Sequence, residues 1–129
     1  MITADQLVAH AMGDYVLQNH WMATRKTSST AVAFVHALAY TLPFALWFGA
    51  SWALVPICLT HAVIDRFRLA RYWCEWWGVG SQGKLWRALG AAPVEAPPPF
   101  LGVWLLIIVD NVTHVCINAA SLYYLGGAS

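Results

Sequence analysis

Three histidine–aspartate pairs, each four residues apart, recur in this chain: His10 with Asp14, His61 with Asp65, and Asp110 with His114. Residues at that spacing stack on one face of a helix, their Cβ atoms about 5–6 Å apart. Each pair can therefore aim an imidazole and a carboxylate at one point. His36 adds a further imidazole from an apolar run. Imidazole nitrogen and carboxylate oxygen suit zinc and related divalent ions. The candidate ligands are His10, Asp14, His36, His61, Asp65, Asp110 and His114. They exceed what one tetrahedral ion needs and suffice for two, with water completing the shells. Such metals lower the pKa of a bound water and stabilise charge developing on phosphate oxygens. A carboxylate not fully engaged in ligation, Asp14 or Asp65, would act as general base. The implied chemistry is metal-dependent hydrolysis of a phosphoester, a lipid among the candidates. The same residues also read as a proton relay or a polar packing network. Asp65 reads alternatively as an interfacial ion pair with Arg66, Arg68 and Arg71. His20, beside Trp21, reads as an interfacial residue outside the set.

These residues need elements to carry them, and the composition says where those elements lie. The chain has 129 residues, 60% hydrophobic and 10% charged, with mean hydropathy +0.56. A soluble domain carries roughly a quarter charged residues. The length bounds a single domain, 1–129. Eight Trp and five Tyr suit the headgroup region of a bilayer. The expected fold is all-α: an integral membrane bundle of three to four membrane helices. A net charge of +1 with no basic stripe gives no case for a nucleic-acid partner. Cys58, Cys74 and Cys116 form no CxxC pair and read as small apolar residues without a disulfide. The N-terminus lacks the basic start of a signal peptide.

Four helical segments are expected. The first runs from about Thr3 to Ala23, where Gln6, His10, Asp14 and Gln18 draw one polar stripe. It either spans the bilayer or lies in its interface. The second, about Ser29 to Ala50, is long enough to cross a hydrocarbon core, with a kink at Pro43. A tight Gly49-Ala50-Ser51 connection makes it an antiparallel hairpin with the third, about Trp52 to Arg71. Tyr72 to Pro99, rich in Trp, Gly and Pro, reads as a cytoplasmic interfacial loop with a short helix around Lys84 to Leu89. Ala96-Pro97-Pro98-Pro99 stops any helix before the fourth segment, Phe100 to Leu125.

All seven basic residues fall in the link between segments one and two, or at the end of segment three and the loop after it. The hairpin puts both regions on one side. The positive-inside rule makes that side the cytoplasmic face of a bacterial inner membrane, with the C-terminus on the far side. Arg66, Arg68 and Arg71 beside Trp73, Trp76 and Trp77 offer a contact for anionic lipid. An aspartate at the centre of a membrane helix costs about 2.5–3.5 kcal/mol, and inward-facing ligands sharing a metal would offset that penalty. His61 lies roughly 7–8 Å from its cytoplasmic helix end, at 1.5 Å per residue. His36 lies about as deep, so a shared centre in the cytoplasmic half of the bilayer is expected. Asn111 and Asn118 share a face with His114, either orienting ligands or bonding between helices.

In these residues the chain resembles the domain-of-unknown-function 3307 family of small bacterial and phage membrane proteins. The resemblance rests on His10-Ala-Met-Gly-Asp14-Tyr-Val-Leu-Gln18, His36, Thr60-His61-Ala-Val-Ile-Asp65 and Asp110-x-x-x-His114. The chain is also loosely similar to inner-membrane metal-dependent hydrolases and zinc-dependent phospholipase C-like folds, which implies the same seven residues as ligands. It departs from the phospholipase pattern in using Asp throughout and lacking an N-terminal Trp ligand. Two other roles are compatible with the sequence. One is a non-enzymatic membrane protein of a phage or bacterium that binds metal, passes protons or ions, or modulates the envelope. The other is a structural subunit, or one chain of an oligomer, with its polar stripes buried against a partner.

Overall fold

The computed structural model describes residues 1–95 and 97–127, and these form helices and turns with no strand among them. Ala96, in the expected helix stop, lies outside the described residues. The helices are α1 (Ala4–Ala11), α2 (His20–Arg25), α3 (Thr30–Phe48), α4 (Leu54–Phe67), α5 (Leu69–Trp73), α6 (Lys84–Ala88) and α7 (Pro99–Leu125). Wide π turns extend α1 over Met12–Val16 and α5 over Cys74–Gly78. The chain divides into two compact units, one of residues 1–67 with 114–127 and one of residues 68–113.

In the first unit, α1 starts on a reciprocal cap. The Thr3 hydroxyl accepts from the Gln6 backbone N–H, and the Gln6 side chain accepts from the Thr3 N–H. The expected first segment does not continue to Ala23 as one helix. It passes through the π turn, ends near Leu17, and restarts as α2 with the Asn19 side chain accepting from the Met22 N–H. Asn19 competes with helix continuation because its side chain caps backbone donors directly. Gly13 sits on α3 so closely that a Cβ there would lie 2.6 Å from the Tyr40 carbonyl oxygen.

α3 and α4 form the expected antiparallel hairpin. Gly49 closes α3 at φ 77°, and α4 starts five residues later. Pro43 lies buried inside α3 without ending it. The register is set at the far end by Arg66, whose guanidinium donates to the Thr27 carbonyl at 2.7 Å and the Thr30 hydroxyl at 3.2 Å. Ala9, Tyr40, Phe44 and Ile57 make the apolar core, flanked by Phe48, Leu54 and Leu122. α4 stops earlier than the expected Arg71, because Arg68 adopts the left-handed conformation at φ 52°.

The outer faces are apolar. Leu38, Leu42 and Leu46 are exposed at four-residue spacing along α3, as are Val55, Leu59 and Val63 along α4. α3 and α7 are each long and apolar enough to cross a membrane, and only 6% of the most apolar stretch of α7 is buried. In the second unit the expected short helix appears as α6. Trp73, Trp76, Trp77 and Trp86 pack ring against ring there.

Candidate metal centre

The first unit assembles its polar residues from the inside outward. His36 and His61 face each other across the α3–α4 hairpin, Nε2 to Nε2 at 3.0 Å, and both are fully buried. Asp65 follows His61 by one helical turn and brings Oδ2 to 3.2 Å from each of these two nitrogens. The π turn delivers Asp14, whose Oδ1 stands 3.3 Å from His36 Nε2 and 3.9 Å from His61 Nε2. The quartet Asp14, His36, His61 and Asp65 thus presents four donor atoms, all within 4.8 Å of one another and all on buried residues. Ligands held 2.0–2.2 Å from a tetrahedral zinc lie about 3.3–3.6 Å apart. The five closest separations, 3.0 to 3.9 Å, bracket that spacing.

A lysine joins them. Lys26 Nζ lies 2.7 Å from Asp65 Oδ2, 3.2 Å from His36 Nε2 and 3.7 Å from Asp14 Oδ1. Sequence reasoning counted Lys26 only as an orientation charge. It lies just past α2, a separate helix where one unbroken segment is expected, and that short helix turns Lys26 inward. Two carboxylates and one ammonium leave the cluster one negative charge in excess when both imidazoles are neutral. Buried charge of this kind needs a partner.

Around the quartet lies a second layer of rings. Tyr40 stacks on His61 with centroids 3.6 Å apart and planes 12° from parallel. Its hydroxyl accepts from Asn118 Nδ2 at 2.5 Å and pairs with His10 Nδ1 at 2.8 Å. His10, expected among the ligands, is therefore placed on Tyr40 and not in the quartet. His114 packs on His61 at 4.2 Å between centroids, with Nε2 3.6 Å from Asp65 Oδ1. Asp110 precedes His114 by one turn of α7 and belongs to the second unit. Asn118 bonds between helices, whereas Asn111 donates to the Ile107 carbonyl of its own helix. Tyr40 was missed although His36-x-x-x-Tyr40 has the spacing that marked the other pairs. A phenol among apolar residues reads as core, and here it is core and hydrogen-bonding partner at once. The quartet holds four of the seven expected ligands, and His114 stands beside it on Asp65.

A helical chain with long apolar helices and a closed knot of imidazoles, carboxylates and one ammonium defines a small helical protein with a polar centre. The chain belongs to the family described as Protein of unknown function (DUF3307), whose model matches residues 2–86. That span contains the whole quartet, Lys26 and Tyr40, and stops short of Asp110, His114 and Asn118. No curated protein and no solved structure matched the chain in comparison, and the looser likeness to hydrolases gains no support.

Proposed function

We propose that this is a metal-binding protein of the bacterial inner membrane whose centre serves metal-dependent hydrolysis of a phosphoester, with a membrane lipid as the substrate in nearest reach. One observation carries the reading: four donor atoms from three separate stretches of chain meet, buried, at the separations a tetrahedral divalent ion requires. His36 and His61 would hold the ion through Nε2 and Asp65 through one oxygen, and Asp14, the most loosely placed donor, would yield the fourth position to water. Zinc is the ion this donor set suits best. When bound, such an ion activates water and stabilises charge on phosphate oxygens. Asp65 is gripped by Lys26, His36 and His61, whereas Asp14 stands farthest from its neighbours and is the carboxylate with freedom to take a proton as general base.

The topology belongs to the same proposal. Three or four helices cross the bilayer, the basic residues and the Trp-rich segment lie on the cytoplasmic face, and the C-terminus lies on the other. Arg66, Arg68 and Arg71 meet anionic headgroups there. A second reading is favoured by Lys26. The ammonium already supplies a cation to Asp65, so the cluster would also stand as a metal-free proton-passing network.

Elemental analysis of the detergent-purified protein separates the two. About one zinc per chain is expected, dropping to trace in His61→Ala and Asp65→Asn, with phosphodiester turnover lost in both variants. A wild type that takes up none of zinc, manganese and iron on reconstitution would falsify the metal reading. Proton flux in liposomes without metal would then favour the second.

A further inference from the structure

Lys26 approaches three of the quartet's four donor atoms from one side. The atoms that would bind a metal therefore lie against an ammonium. An ion held at coordination distance, about 2.0–2.2 Å, from those same three atoms would stand among the atoms that Nζ touches. Charge counting makes the two cations alternatives. A divalent ion alone neutralises Asp14 and Asp65, while ion and ammonium together leave an uncompensated positive charge in a buried site. Lys26 can leave. Its side chain is long and flexible, it is 16% exposed against 8% or less for the two carboxylates, and it lies in the short link between α2 and α3.

We infer that Lys26 is a tethered counter-cation that holds the centre together in the metal-free protein and is expelled when a divalent ion enters. The inference rests on the metal reading above and adds a determinant of affinity to it. Lys26 makes the empty centre stable and the filled one harder to form. It thereby sets a threshold of free metal below which the centre stays closed on its own lysine.

The test uses the full-length protein in detergent with zinc as the only added ligand. Lys26→Met keeps the length and removes the charge. It should bind zinc tighter, on the order of tenfold or more, while its metal-free form melts at a lower temperature than the wild type. Zinc should narrow that difference in melting temperature. The wild type supplies an independent readout, because its two lysines are Lys26 and Lys84 and the latter is 62% exposed. An amine-acylating reagent mapped by mass spectrometry should label Lys84 alike with and without zinc, and label Lys26 faster with zinc. Zinc bound by both proteins with equal affinity, or zinc that leaves the Lys26-to-Lys84 labelling ratio unchanged, overturns the inference and leaves the metal reading standing. Absence of zinc from both proteins overturns the two together.

Discussion

Tyr40 shows how much one buried side chain does in this centre. Its ring lies flat on His61 and its hydroxyl joins His10 to Asn118. Replacing it by Phe keeps the stack and strips a partner from two buried polar groups. The cost should be about 1–3 kcal/mol, read as a lower melting temperature, with zinc affinity reduced far less than in His61→Ala. A separate prediction concerns Glu75 in the second unit. Arg71 at 2.6 Å and Lys84 at 3.2 Å hydrogen-bond its carboxylate and hold its pKa below the ordinary 4.5. A depressed folded-state pKa contributes stability that is present above 4.5 and lost as pH falls through the folded value. Acid titration followed by NMR should therefore place Glu75 below 4.5 in the wild type and move it upward in Arg71→Ala. At this scale the His–Asp pairs were legible because i,i+4 spacing is a local property of any helix. Lys26 was not, because its inward turn depends on where α2 begins.

Among the elements, the π turn at Met12–Val16 has the largest consequence for the centre. The polar stripe Gln6, His10, Asp14 and Gln18 assumes an unbroken α-helix, on which His10 and Asp14 would point alike. The wide turn separates them, sending His10 to Tyr40 and Asp14 to the quartet. This is why the first segment was legible as a polar-striped element and illegible as two sites. Gly13 lets the turn sit against α3, since Tyr40 backbone atoms fill the place of a side chain. In Gly13→Ala the new Cβ would meet the Tyr40 carbonyl and Cα at 2.6 and 2.8 Å. The turn must then move off α3, costing about 1–3 kcal/mol and carrying Asp14 away from His36. Both stability and zinc affinity should fall, the latter measured by competition with a chromogenic chelator. The hairpin of α3 and α4 was legible from a short Gly-containing link between two apolar runs. The stop at Arg68 was not, because a left-handed arginine has no sequence signature.

For the whole molecule, an inside-out distribution of polarity decides where it can live. Histidine and aspartate occupy the interior of the first unit while leucine and valine line the outside of α3 and α4. Exposed apolar faces of that extent mark a membrane or a partner surface, and the proposed bilayer setting makes two predictions. The protein should stay with membranes through an alkaline carbonate wash. Leu38→Arg, at the exposed middle of α3, should lower its inserted fraction by the equivalent of about 2.5–3.5 kcal/mol. Composition alone announced the apolar exterior, since 60% of the 129 residues are hydrophobic.

The order of the quartet along the chain also bears on how the protein is made. Asp14, His36, His61 and Asp65 all precede α7. A ribosome delivers these four, with Lys26 among them, before the last long helix has been translated. The nascent chain can thus close its polar knot on the lysine early. His114 and Asn118 are translated later, on α7.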